Sequence, residues 1–240
     1  MILRGANQEH SIRLDKFNIQ NSNCRKLLGI KIDNNLTFDE HVSGICTKAS
    51  QKLHALSRVS HFMTFEHRLV SMKSFILSQF GYCPLVWMFH SRKLNNRINR
   101  IHERALRIVY QDSKSSFAEL LMKDESFTIH VRNIQTLGIE LYKVAYSLSP
   151  KIMKLVFPLN SHPKYPWKSI FVSRNVKTVN HGTETLIHLG PKIWSMIPED
   201  MKKYSLSKFM KKIRKWKPAK CPCRICKIYV KDLGFVEISK

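Results

Sequence analysis

Glycine is scarce in this chain, and its scarcity argues against several kinds of catalytic loop. Only 8 of the 240 residues are glycine, and they are too dispersed to form the Gly-rich loop that cradles nucleotide phosphates. The motif G-x-S-x-G, which positions the nucleophilic serine of many hydrolases, does not occur. Neither a phosphate-loop enzyme nor a hydrolase of that kind is indicated.

Acidic residues are also few. The chain has 17 Asp and Glu against 41 Lys and Arg, which gives a net charge of +24. No Asp-Asp pair occurs, and the neighbouring acids at 39–40, 124–125 and 199–200 stand where helices are predicted to begin, a position that favours negative charge. We therefore predict no catalytic residues and no small-molecule substrate. The positive charge predicts a polyanionic partner, with nucleic acid favoured over an anionic membrane surface.

Long hydrophobic segments are missing as well. Residues 1–16 contain several charged and polar side chains, unlike a signal peptide, and the longest run without charge, residues 74–91, is interrupted by Pro84. The six cysteines do not form the pattern of a secreted disulfide framework. We expect a protein without a membrane span that is intracellular, in the nucleus or cytoplasm, and not secreted.

Hydrophobic periodicity changes near residue 39. Before it, short runs at 1–3, 12–14, 17–19 and 26–32 predict strands. After it, helical spacing predicts five helices up to Pro150, with Leu148 facing inward near the end of the fifth and with Cys46 and Cys83 packed as small hydrophobic residues. We predict a mainly α protein in which a short cluster of β-strands and hairpins precedes a helical bundle.

The C-terminal third has a different character. Residues 158–182 lack periodicity and contain three prolines, which predicts an extended connection. Residues 185–189 are predicted as a strand, and a basic helix is predicted from Ser205 to Pro218, followed by a cysteine-containing tail. The predicted regions are therefore 1–40, 41–157 and 158–240.

The helix predicted after Ser91 carries two parallel stripes of side chains. Its apolar stripe consists of Leu94, Ile98, Ile101, Ala105 and Ile108. A cation stands one residue before each, about 100° around the helix: Lys93, Arg97, Arg100, Arg104 and Arg107. Only one acid, Glu103, lies in this helix. A largely unneutralised row of guanidinium groups suits a phosphate backbone, although a solvated basic face is the alternative.

A second basic group lies near the C-terminus, where residues 202–227 contain 11 cations and no acid. The candidate nucleic-acid-binding residues here are Lys208, Lys211, Lys212, Arg214, Lys215 and Trp216. An aromatic side chain among cations is typical of such contacts. A nuclear-localisation signal at 211–215, membrane-surface binding by the helix 206–216, and a solvated face are alternatives.

Cys221, Cys223 and Cys226 form the one metal-like constellation in the sequence. Structural zinc takes four ligands, but no Cys or His follows Cys226, and the nearest upstream histidine is His188. With three ligands we predict no metal site, and the three cysteines are only weak zinc candidates. Packing is favoured, with redox reactivity as a further alternative because nearby lysines lower thiol pKa values.

Two of these stretches, KLLGIKIDNNLTFDEHV (26–42) and FGYCPLVWMFHSRKLNNRINRIHERALRIVY (80–110), resemble the region after the active site in reverse transcriptases of non-LTR, LINE-type, jockey-like retrotransposons. Further similar strings are SSFAELL (115–121), RNIQTLGIELYK (132–143), GPKIW (190–194) and CPCRIC (221–226). The resemblance extends over nearly the whole chain, and its strings are long.

The resemblance implies that residues 1–34 end the polymerase palm and that 41–150 form the thumb, which holds the template–primer duplex. It places five residues in the hairpin that grips the primer: Lys26, Leu27, Leu28, Gly29 and Ile30. The family's fingers and its Mg²⁺-binding palm carboxylates would precede Met1. We therefore expect a remnant of an RNA-directed DNA polymerase, inactive alone and without its own cofactor, that binds RNA or DNA backbones without reading sequence. The alternative is a domesticated structural or protein-interaction bundle with a basic localisation tail.

Overall fold

The computed structural model describes residues 12–14, 17–19, 22–160, 170–172, 175–177, 182, 185–219, 221–223 and 225–226. The strands are β1 (Ile12–Leu14), β2 (Phe17–Ile19), β3 (Cys24–Leu27) and β4 (Ile30–Asp33). The helices are α1 (Asp39–Val59), α2 (Phe65–Ser71), α3 (Pro84–Trp87), α4 (Arg92–Tyr110), α5 (Phe117–Lys123), α6 (Ile129–Ala145), α7 (Met153–Val156), α8 (Leu186–Met196), α9 (Glu199–Lys202) and α10 (Leu206–Ile213). The predicted fold class, mainly helical with short hairpins first, is confirmed. The predicted strand at 1–3 lies outside the described residues.

The strands form two separate antiparallel hairpins, β1–β2 and β3–β4. In the second hairpin Leu27 pairs with Ile30, and the two residues between them have positive φ, 47° at Leu28 and 86° at Gly29. Two successive positive φ values are typical of the tight turn whose twist matches that of paired strands. The single strand predicted at 26–32 is therefore wrong: the apolar alternation continues through the turn, and Gly29 was the only local signal of it.

Asp33 connects this hairpin to α1. Its Oδ1 accepts backbone N–H bonds from Asn35 (3.1 Å) and Thr37 (3.0 Å), and its Oδ2 accepts one from Phe38 (2.7 Å). Phe38, which precedes the first turn of α1, has the left-handed φ of 58°. A side chain that binds three amides of one short loop holds the backbone in this uncommon conformation.

The described residues divide into two compact units, of which the first contains those up to residue 83 together with 90–120. Its core is built by α1, by the helical segment from α2 to Phe80, and by α4. That segment continues α2 as a π-helical turn (Met72–Ile76) and a 3₁₀ turn (Leu77–Phe80). Thr64 caps α2, because its side-chain oxygen accepts the N–H of His67.

Arg68 is a buried cation inside the first unit. Its Nε donates to the carbonyl of Val109 at 3.1 Å, and its Nη1 donates to those of Ser60 (3.3 Å) and Met63 (3.0 Å). Val109 lies at the end of α4, Ser60 at the end of α1, and Met63 directly after the 3₁₀ turn that follows α1. The carbonyls at such ends carry partial negative charge. Arg68 therefore caps two helix ends at once.

The second unit contains residues 84–89 and the described residues from 121 onward. The buried face of α6 packs against α8 and α10. Aromatic rings close this core, with Tyr142 stacked on Phe209 (centroids 4.3 Å apart) and Phe171 edge-on to Trp194 (5.5 Å). Tyr142 Oη also donates to the carbonyl of Tyr204 at 2.5 Å.

A glycine allows the closest helix approach in this unit. A Cβ added at Gly138 of α6 would lie 2.6 Å from Ile213 Cδ1 and 3.2 Å from Ile197 Cδ1. Ile213 and Ile197 are both buried. A side chain at this position would force the ends of the two isoleucines to move, so glycine suits the close packing of α6 against α10.

Three local predictions are corrected. Residues 185–189 do not form a strand, since α8 begins at Leu186 and continues through Pro191; an apolar run of this length does not distinguish a strand from a buried helix. Leu148 is 57% exposed because α6 ends at Ala145. Cys83 is exposed rather than packed, whereas Cys46 is buried as predicted.

The two units divide the chain at residues 83/84, 89/90 and 120/121. Helix α6, which lies in the predicted region 41–157, packs against α8 and α10 and also contacts α3. Sequence periodicity gives the apolar face of a helix but not which helix covers it. Within the described residues, no helix combines the length and apolarity needed to cross a bilayer.

Candidate nucleic-acid interface and thiol cluster

The two stripes of α4 occupy the environments that the periodicity predicted. The apolar stripe is buried at Leu94, Ile98, Ile101 and Ala105, whereas Ile108 is half-buried. The burial fixes the rotation of α4 about its axis. It therefore turns the neighbouring cation stripe toward the surface of the first unit.

Two members of the cation stripe are held by the protein itself. Arg97 donates to Ser43 Oγ (3.0 Å) and Thr47 Oγ1 (3.1 Å) of α1. Arg107 is paired with Glu103 at 2.8 Å, and its Nη1 donates to the carbonyl of Asp112. Arg97 thus fastens α4 to α1, and the charge of Arg107 is neutralised. The sequence showed the stripe but not this division of roles.

The other three members, Lys93, Arg100 and Arg104, are exposed. None has a hydrogen-bond or ion-pair partner among the described residues. Arg100 and Arg104 line a shallow depression together with the Glu103–Arg107 pair. At 1.5 Å of rise per residue, Lys93 and Arg104 are separated by about 16 Å along the helix, a length comparable to several phosphates of one strand.

The C-terminal cations lie on and just after α10. Its apolar face is anchored by the buried Phe209 and Ile213. The five predicted contact residues are exposed: Lys208, Lys211, Lys212, Arg214 and Lys215. Lys208 Nζ lies 4.1 Å from the centre of the Tyr204 ring. Trp216 is half-buried and packs against the core of the second unit, so its ring is less available for stacking than the sequence predicted.

The tip of the second hairpin is apolar and exposed. Leu27 is 60% and Leu28 82% exposed. Tyr82 Oη donates to the carbonyl of Leu28 at 2.6 Å, and the Tyr82 ring lies 3.5 Å from the position of a Cβ at Gly29. Of the predicted primer-grip residues, Lys26 is also exposed, whereas Ile30 is buried against α1 and its neighbours.

The three clustered cysteines have a fourth companion in space. His130 Nε2 lies 3.3 Å from Cys223 Sγ and 3.9 Å from Cys221 Sγ, and the two sulfurs are 3.3 Å apart. With Cys226, the four candidate ligand atoms all lie within 4.8 Å of one another. Hydrogen bonds with the Cys221 and Cys223 thiols, and then burial, raise the pKa of Cys226 far above its ordinary value of 9.0.

His130 lies 91 residues before Cys221, so no local spacing motif joins it to the cysteines. It is the second residue of α6, after the capping Thr128, whose Oγ1 accepts the N–H of Val131 at 3.3 Å. A search for ligands near the cysteines in sequence does not reach it.

Comparison with known proteins does not extend the argument: no family model matches the chain, and no curated protein or solved structure is similar to it at a significant level.

Proposed function

We propose that this chain binds duplex nucleic acid through the phosphate backbone, as the thumb-like part of a non-LTR retrotransposon reverse transcriptase would. The observation that carries the proposal is the set of exposed cations on α4, Lys93, Arg100 and Arg104, which lack partners among the described residues. The buried apolar face and the Arg97 bonds hold that surface in place. A rigid cationic surface binds a polyanion with little loss of conformational entropy.

Sequence-independent binding is the form that the geometry favours. The cations of α4 and α10 contact phosphates equally well on any sequence, and phosphate contacts carry no direct sequence information. The exposed leucines of the hairpin tip would contact the sugar and base surfaces at a duplex end, in keeping with the primer-grip resemblance. A polynucleotide partner would place the chain in the nucleus or cytoplasm.

The test is the salt dependence of binding to a short duplex of random sequence, measured by fluorescence anisotropy. Each phosphate contact contributes about 0.9 to the slope of log K against log salt concentration. Replacing Lys93, Arg100 and Arg104 with Gln should therefore reduce the slope by about 2 to 3 while preserving the helix, since Gln is a good helix former.

The matched control removes the same charge elsewhere, at the exposed Lys73, Lys114 and Lys151. This variant should retain most of the slope. If the α4 variant is folded and its slope equals that of the control, α4 is not the contact surface. Equal affinity for a DNA duplex, an RNA–DNA hybrid and a scrambled sequence is expected, whereas a strong preference for one sequence would contradict backbone binding.

The protein-interaction bundle remains the second candidate because the first unit exposes large apolar side chains. Phe62 is 84% exposed, and Val70 and Phe75 are also exposed. Exposed apolar surface of this kind marks contact sites for other proteins. A wild-type chain without measurable duplex affinity at low salt would favour this candidate.

A further inference from the structure

We propose that His130, Cys221, Cys223 and Cys226 bind one Zn²⁺ ion as a structural centre of the second unit. The proposal does not depend on nucleic-acid binding. Three thiols and one imidazole are the ligand set that tetrahedral structural zinc takes in proteins. All four residues belong to the same compact unit.

The distances between the ligand atoms fit one small ion. Tetrahedral zinc with Zn–S of about 2.3 Å and Zn–N of about 2.1 Å separates sulfurs by about 3.8 Å and sulfur from nitrogen by about 3.6 Å. His130 Nε2 lies 3.3 Å from Cys223 Sγ and 3.9 Å from Cys221 Sγ. These two distances lie on either side of the expected sulfur–nitrogen separation of about 3.6 Å. All pairs lie within 4.8 Å, so modest side-chain rotation brings the four atoms to a common centre.

The contacts around the sulfur atoms suit a closed, four-ligand centre. His130 is only 5% exposed and aims Nε2 at the sulfurs. The backbone N–H of Cys226 points to Cys223 Sγ at 3.4 Å. Three thiolates, a neutral imidazole and Zn²⁺ leave one negative charge. That charge lies at the N-terminal end of α6, where the helix dipole is favourable.

A second contact holds the chain that precedes the cysteines against α6. Gln135, one and a half turns further along α6, donates from Nε2 to the carbonyls of Arg214 (3.2 Å) and Trp216 (2.8 Å). The chain after α10 is thus fastened to α6 before it reaches Cys221. The zinc ion would complete this attachment and hold the C-terminal segment on α6.

Metal content of the full chain, purified under reducing conditions, is the primary test. We expect close to one zinc per chain, and, after exchange for Co²⁺, the ligand-field bands of a tetrahedral site with sulfur-to-cobalt charge transfer from three thiolates. Chelation should lower the melting temperature and expose three further thiols to alkylation. Cys46 should stay protected throughout, because burial raises its pKa to about 11.

Variants separate this site from adventitious binding. His130→Ala and Cys223→Ser should lose the metal, whereas Cys83→Ser, which alters an exposed thiol outside the cluster, should keep it. His130→Cys should retain zinc and show four-thiolate charge transfer, which guards against loss through misfolding. A reduced wild-type chain without metal, a Cys221–Cys223 disulfide in its mass spectrum, or unchanged zinc and cobalt spectra in His130→Ala would each overturn the proposal.

Discussion

At the residue scale, the side chain of Asp33 holds the loop that joins the β3–β4 hairpin to α1. Partial burial acts to raise the pKa of its carboxyl group, but the N–H bonds from Thr37, Phe38 and Asn35 outweigh it and hold the pKa below its ordinary value of 3.8. The bonds favour the charged form, because a carboxylate accepts at both oxygens and a protonated acid does so less well. Ionised Asp33 therefore stabilises the folded state more than protonated Asp33 does.

Asp33→Asn should destabilise the chain by about 1–2 kcal/mol at pH 7, because an amide accepts hydrogen bonds at one oxygen while the native side chain uses both. The lowered pKa means that Asp33 contributes stability above pH 3.8, and that this contribution disappears as the pH falls through the lower folded-state pKa. Urea denaturation at pH 7 and pH 3 measures both effects.

The gap in stability between wild type and Asp33→Asn should therefore narrow at pH 3. Asp200→Asn is the control, since this exposed acid lies in the first turn of a four-residue helix. A gap that stays constant with pH would mean that the carboxylate charge plays no part in the junction.

At the scale of secondary-structure elements, Arg68 couples the ends of two helices. Arg68→Met would keep most of the side-chain volume but remove the guanidinium bonds to the carbonyls of Val109, Ser60 and Met63. We expect a loss of about 3 kcal/mol, typical of buried bonds to a charged group. Arg58→Met, at an exposed position in the last turn of α1, should cost well under 1 kcal/mol. Equal losses in denaturation midpoint would contradict the capping role.

Two glycines inside helices, Gly44 and Gly138, should respond in opposite ways to replacement by alanine. Gly44 in α1 has no atom within 4 Å of an added Cβ, whereas Gly138 in α6 would meet Ile213 at 2.6 Å. Gly44→Ala should stabilise the protein by about 0.5–1 kcal/mol through helix propensity. Gly138→Ala should destabilise it by about 1–2 kcal/mol, because overpacking exceeds the gain in propensity.

Thermal unfolding of the two alanine variants measures the difference. We expect Gly44→Ala to raise the melting temperature and Gly138→Ala to lower it, although the substitution is identical. A stabilising Gly138→Ala would mean that α10 shifts away from α6 without cost.

For the whole molecule, the sequence predicted what depends on local periodicity. The rotation of α4, the cap at Thr64 and the start of α6 after Thr128 follow from spacing and cap chemistry within a few turns. Long-range partners were not predictable in this way. The approach of His130 to the cysteines and the bonds of Arg97 to α1 depend on which faces meet, which no local pattern encodes.

The exposed cations of α4 were predicted as a stripe of five, and the structure leaves three of them without a partner among the described residues. The difference arises because hydroxyl groups on another helix and an acid one turn away reach two of the guanidinium groups. Charge counting along a helix therefore overestimates the number of cations available to a ligand.

The division of the chain into two interleaved units has a consequence for how it can be shortened. Residues 84–89 belong with the later part of the chain although the earlier unit flanks them on both sides. A recombinant fragment ending at residue 120 would carry Trp87 and Met88, both almost fully buried in the intact protein, without the α6 environment. Neither unit is a contiguous gene segment, so recombination cannot exchange one of them by a single crossover.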